Sequence, residues 1–115
     1  MKIVVTLFCL LSLLFLNGPA AAADLPDIKA RGVIRHLGVP YANFVTGSGD
    51  GCEVELTKKF AEHLGVSYEY VATGWATVVQ DLTGKVVKAK GNEVEVTGEA
   101  PVKGDMVANG FTILP

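Results

Sequence analysis

Three short stretches hold the residues whose types and spacing suit them to chemistry. Tyr41, Asn43 and Phe44 form the first, Thr73 and Trp75 the second, and Asn109, Gly110 and Thr112 the third. Aromatic rings of this kind cover apolar or cationic parts of a small molecule. Backbone N–H groups around a glycine, with a nearby hydroxyl, suit a carboxylate. Core packing competes as an explanation of Phe44 and Trp75, and strand-end hydrogen bonding competes for Thr112. Reactive constellations are missing. The chain has no Gly-x-Ser-x-Gly, no His-Glu-x-x-His, no Gly-x-x-x-x-Gly-Lys and no cysteine pair at metal spacing. Glu62 and His63 are adjacent on a helix without a second ligand in register, so a solvated face explains them. The chain is therefore expected to bind rather than catalyse, with no cofactor and no metal.

The elements around these stretches are readable. Gly51–Gly65 has Leu56, Phe60 and Leu64 four apart, with Ala61 beside them, which is a helical stripe. Glu53 and Glu55 suit the positive end of the helix dipole, and Gly65 suits a left-handed stop. Val33–Val39 and Val66–Val71 are β-branched and aromatic runs on either side of that helix. Strand, helix, strand is a βαβ unit, with its two strands parallel. Asp24–Gly32 reads as a short helix with Pro26 in its first turn. Trp75, Val78, Val79 and Leu82 form a second helical stripe that Gly84 ends. A buried strand starting at Asp105 precedes the third stretch. All three stretches thus follow a strand, and parallel α/β sheets bind ligands outside the carboxyl ends of their strands.

Residues 85–97 follow another pattern. Gly91-Asn92 is a hairpin turn signal. Folding there sets Lys90 against Glu93, Ala89 against Val94, Lys88 against Glu95 and Val87 against Val96. One face then carries opposite charges and the other carries small apolar side chains. The default expectation is that this hairpin extends the core; a surface for a partner is the alternative.

Of the 115 residues, half are hydrophobic, and part of that fraction lies in the leader. Met1–Ala23 has Lys2, an apolar run and a small-residue end, the signature of a cleaved secretory signal. The run is short for a span, so no stable membrane anchor is expected. Without Lys2 the formal charge moves from −2 to −3, with no basic patch, and nucleic acid is not an expected partner. Cys52 is the one cysteine beyond the signal, so no internal disulfide is expected; a small buried residue near the helix start is its simplest reading.

Several runs, in order, resemble a known family: Gly38-Val39-Pro40-Tyr41-Ala42-Asn43-Phe44, Gly51-Cys52-Glu53-Val54-Glu55-Leu56, Phe60-Ala61-Glu62-His63-Leu64-Gly65-Val66, Trp75 to Gly84-Lys85-Val86, and Gly104 to Pro115. Together they are similar to family 3 bacterial extracellular solute-binding proteins, the polar amino-acid-binding components of ABC importers. The resemblance implies a partial periplasmic-binding-protein-like (type 2) α/β lobe, with a parallel βαβ core and the 85–97 hairpin inserted. It implies that residues 24–115 are an incomplete first lobe, in the periplasm, from a protein that serves an ABC permease. Tyr41 would stack on the ligand with Phe44 beside it. The Asn109-Gly110 backbone and Thr112 would hold its carboxylate, and Trp75 would line the cleft. The family's usual arginine lies beyond the Thr112–Pro115 match, and the second lobe is absent, so impaired binding by this piece alone is expected. The other functions considered are a sensing or targeting domain of a larger envelope protein, such as a lytic transglycosylase or sensor kinase, and a secreted structural or interaction domain.

Overall fold

The computed structural model describes residues 23–112. The expected export signal, apart from Ala23, and the last three residues of the Thr112–Pro115 match lie outside that range. The elements run α1 (Leu25–Arg31), β1 (Val33–Gly38), α2 (Cys52–Leu64), β2 (Ser67–Ala72), α3 (Val78–Thr83), β3 (Lys85–Lys90), β4 (Glu93–Glu99) and β5 (Met106–Val107).

β1 is the axis of the molecule. It pairs in parallel with β2 from Val33↔Ser67 to Gly38↔Ala72, and in parallel with β5 at His36↔Met106 and Leu37↔Val107. The order is β2-β1-β5. A central parallel strand is covered on both faces, and Ile34, His36, Leu37 and Gly38 of β1 are all buried. Ile34, with Ile28 of α1 and Ala61 of α2, forms the core on one face. Leu37 and Val39, with Val78 of α3, form the core on the other. Helices thus lie on both sides of the sheet, as the βαβ reading expects.

The helix ends follow the residues that mark them. Gly32, Gly65 and Gly84 close α1, α2 and α3 in the left-handed conformation, at φ 77°, 71° and 71°. The buried face of α2 differs from the expected one. Val54, Thr57 and Ala61 are buried, whereas Leu56 and Phe60 are 65% and 41% exposed. Val54, Thr57 and Ala61 also have helical spacing, and the small Thr57 and Ala61 let the helix sit close to the sheet. Hydrophobicity alone favoured the bulkier stripe. Cys52 is exposed on the first turn of α2, not buried as expected. α3 is shorter than its apolar stripe: it starts at Val78, after a turn at 75–77, and leaves Trp75 outside.

β3 and β4 pair in the expected register, Lys90↔Glu93, Ala89↔Val94, Lys88↔Glu95 and Val87↔Val96. A register shift between Val86 and Val87 places Thr97 out of step with its neighbours. The hairpin is a separate two-stranded sheet. Val94 and Val96 are 69% and 58% exposed, so the hairpin does not extend the core.

Candidate functional site

β1, β2 and β5 run in the same direction, so their carboxyl ends share one rim of the sheet. Tyr41 follows β1, Trp75 follows β2, and Phe111 follows β5. These rings meet. Tyr41 and Phe44 stack at 5.8 Å between centroids, 12° from parallel. Tyr41 and Trp75 meet edge to face at 5.9 Å, and Trp75 and Phe111 do so at 5.6 Å. Four rings from three loops therefore form a continuous wall, and all four are exposed at their surface. Burial in the core does not account for Phe44 or Trp75.

The loops are fixed by polar contacts beneath the wall. Tyr41 and Val45 close a small bridge, and Val45 is buried. The N–H groups of Cys52 and Glu53 donate to the carbonyls of Asn43 and Phe44, both at 3.0 Å. The positive end of α2 thereby holds the first loop. Asp81 holds the second: the Thr73 hydroxyl donates to its Oδ2 at 2.6 Å, and Lys103 Nζ lies 2.9 Å from its Oδ1. Burial pushes the Asp81 pKa up, but the Thr73 and Lys103 interactions outweigh it and leave the pKa lowered. Asp81 is accordingly an ionised anchor. Its carbonyl also accepts the Lys103 and Gly104 N–H groups, at 2.7 and 3.3 Å. These bonds join α3 to the approach to β5.

Asn109 fixes the third loop. Its Oδ1 accepts the Val39 N–H at 2.7 Å, and its Nδ2 donates to the Val39 carbonyl at 2.6 Å. The side chain is thus spent on the end of β1, buried below the rim. Gly110 follows at φ 66°, and a β-carbon there would come within 2.6 Å of the Phe44 ring. Only glycine fits both the backbone angle and the contact. The Gly110 backbone thus lies against the aromatic wall, and Thr112 is exposed one residue beyond Phe111. Phe111 was not singled out from sequence. Its signal was available, since it is an aromatic past a strand end, as Tyr41 and Trp75 are.

His36 lies lower on β1 and is buried. Its Nε2 is 2.8 Å from the Ala108 carbonyl and its Nδ1 is 2.8 Å from the Tyr68 hydroxyl. A carbonyl only accepts, so Nε2 carries the proton and Nδ1 accepts from Tyr68. Burial lowers the His36 pKa, against smaller opposing effects of Ala108 and Glu53, and the ring is neutral. Its bond to Ala108 ties β1 to the start of the third loop. Asp105, at the foot of β5, pairs with Arg31 and with Arg35, whose Nη2 is 2.8 Å from Oδ1.

An apolar depression of about 290 Å³, lined by Val78, Val79, Leu82, Val107 and Phe111, lies beside α3. It meets the aromatic wall at Phe111. Its lining side chains cannot satisfy a charged group, so it does not suit a zwitterion. Among the described residues no group of histidine, cysteine or carboxylate side chains is placed to hold a metal.

No protein-family model matches this chain, and no curated protein matches it. A solved structure does: the crystal structure of an ancestral cyclohexadienyl dehydratase, with a TM-score of 0.57 and 28% sequence identity over 83% of this chain. The match takes in 34% of the other chain, so this chain spans about a third of that structure's length. The neighbour has the fold of the family 3 solute-binding proteins. The architecture here is that of a partial periplasmic-binding-protein-like lobe, a fold that binds ligands in the general sense. The expectation that the chain is not an enzyme is corrected by the same finding, because the similar structure is that of a dehydratase. Short catalytic motifs do not mark every enzyme, so their absence from the sequence did not exclude this likeness.

Proposed function

We propose that this chain supplies one wall of a cleft that holds a small polar solute, an amino acid or a related carboxylate, for ABC-type import. In this reading residues 1–23 direct export to the periplasm, and a permease receives the ligand from the whole protein. The supporting observation is the aromatic wall of Tyr41, Phe44, Trp75 and Phe111, raised by three loops at the carboxyl ends of parallel strands. The ligand's side chain lies against Tyr41 and Phe44, and its carboxylate meets the Gly110 backbone and the Thr112 hydroxyl. A single lobe leaves much of a ligand in water, whereas small-ligand sites bury roughly 70–90% of it. Affinity of the isolated piece is therefore weak, with a Kd of about 1–10 mM. Chemical-shift mapping at millimolar ligand detects such binding. A polar amino acid should shift the Trp75 indole and the Gly110 and Thr112 amides, and Tyr41→Ala should abolish the shifts. A full panel that moves none of these signals overturns the proposal.

A second reading follows from the dehydratase likeness: the site turns its ligand over instead of releasing it. Aromatic rings on one side suit a flat, ring-shaped acid. Incubation with a cyclohexadienyl acid, followed by mass spectrometry for loss of water, separates turnover from binding.

A further inference from the structure

We propose that the β3–β4 hairpin carries two mutually complementary docking edges, so that a second copy of this chain adds its β3 strand antiparallel to β4. The hairpin's charges are divided by strand. β3 carries Lys85, Lys88 and Lys90 and no acid, while β4 carries Glu93, Glu95 and Glu99 and no base. The two strands form a sheet of their own, with no third strand beside either among the described residues. Each therefore presents an unpaired edge, which is a template for another strand. Opposite charges already meet within the hairpin, with Lys85 Nζ 3.0 Å from Glu99 and Lys90 Nζ 3.9 Å from Glu95. A copy whose β3 lies against β4 repeats those pairings across the new boundary. Pairing β4 with β4 would instead set glutamates together, and pairing β3 with β3 would set lysines together. Like charges across strands oppose both symmetric arrangements.

The backbone supports the same geometry. Gly91, at φ 64°, opens a two-residue turn, so Lys90 and Glu93 are the hydrogen-bonded pair that closes it. By alternation, Ala89 and Val87 on β3, and Val94 and Val96 on β4, direct their N–H and C=O groups outward. Val94 and Val96 are also exposed side chains, sharing one face with Val87 and Ala89. Joining hairpins makes that apolar face continuous and removes part of it from water. Because the contact is head to tail, it leaves a free edge at each end and extends with concentration.

Sedimentation velocity of the full chain tests this. The weight-average mass should rise above that of the monomer with concentration at low salt, and return to it at about 0.5 M salt as the lysine–glutamate contacts are screened. Proline at an outward N–H blocks an edge while sparing the hairpin's own bonds. Val94→Pro should close the β4 edge and Ala89→Pro the β3 edge, so each variant alone should be monomeric. Mixed, they should form a 1:1 complex of twice the monomer mass, because each retains the edge that the other lacks. A wild-type mass that does not change with concentration overturns the proposal, whether or not the variants fold. So does Val94→Pro that assembles like the wild type, or a mixture of two folded variants that stays monomeric.

Discussion

Replacing Asn109 with alanine tests how the rim is held. The side chain makes two buried hydrogen bonds to the Val39 backbone, at 2.7 and 2.6 Å. Alanine removes both and leaves the Val39 N–H and C=O without partners. A typical hydrogen bond contributes about 0.5–1.5 kcal/mol net, and a buried group left unpaired costs about 1–3 kcal/mol. Two such groups give an expected loss of about 2–6 kcal/mol. That is a large part of the roughly 5–15 kcal/mol that holds a typical domain together. Urea unfolding followed by circular dichroism and by Trp75 emission measures the loss. Asn109→Asp sharpens the test. Its carboxylate still accepts the Val39 N–H, but turns a second oxygen toward the Val39 carbonyl. The aspartate variant should therefore be as unstable as the alanine variant at pH 7, and its deficit relative to wild type should shrink in acid, where a protonated carboxyl can donate to that carbonyl. An alanine variant within about 0.5 kcal/mol of wild type, below the usual effect of losing even one hydrogen bond, would refute the reasoning.

Two further perturbations probe the core and the buried charges. A β-carbon at Gly104 would overlap the side chain of Leu37, which is fully buried; Gly104→Ala should lower the urea midpoint by an amount equivalent to about 1–3 kcal/mol. Stability should also fall in two steps on acidification, because the unfolded chain takes up more protons in each window. Below pH 6.5 the unfolded chain protonates its histidine while folded His36, with its lowered pKa, stays neutral, giving a slope of at most about 1.4 kcal/mol per pH unit. Asp105 acts lower: burial raises its pKa, but Arg35 and Arg31 outweigh this and leave it lowered, so its contribution is full above 3.8 and is lost as pH falls through the folded value. His36→Gln should flatten the first step alone, as read from unfolding curves between pH 7 and 5.

Local residue choice determined much of this fold. Left-handed glycines ended the helices, β-branched runs made the parallel pair, and Gly91 with alternating charge set the hairpin register, because each of these acts through near neighbours in sequence. The shared direction of the parallel strands also put Tyr41, Phe44 and Trp75 on one rim, where their rings meet. Tertiary structure decided what the pattern left open. Close approach of helix to sheet buried the small Thr57 and Ala61 in place of Leu56 and Phe60. The Val39 backbone captured the Asn109 side chain across 70 residues of sequence, and no local signal identifies that partner. Phe111 joined the other three rings only when β5 lay beside β1, and the hairpin became a separate sheet only when its apolar face found no core to cover. Short-range chemistry sets the elements and their ends, whereas the buried faces and long-range polar partners are fixed only when those elements compete for the same interior space.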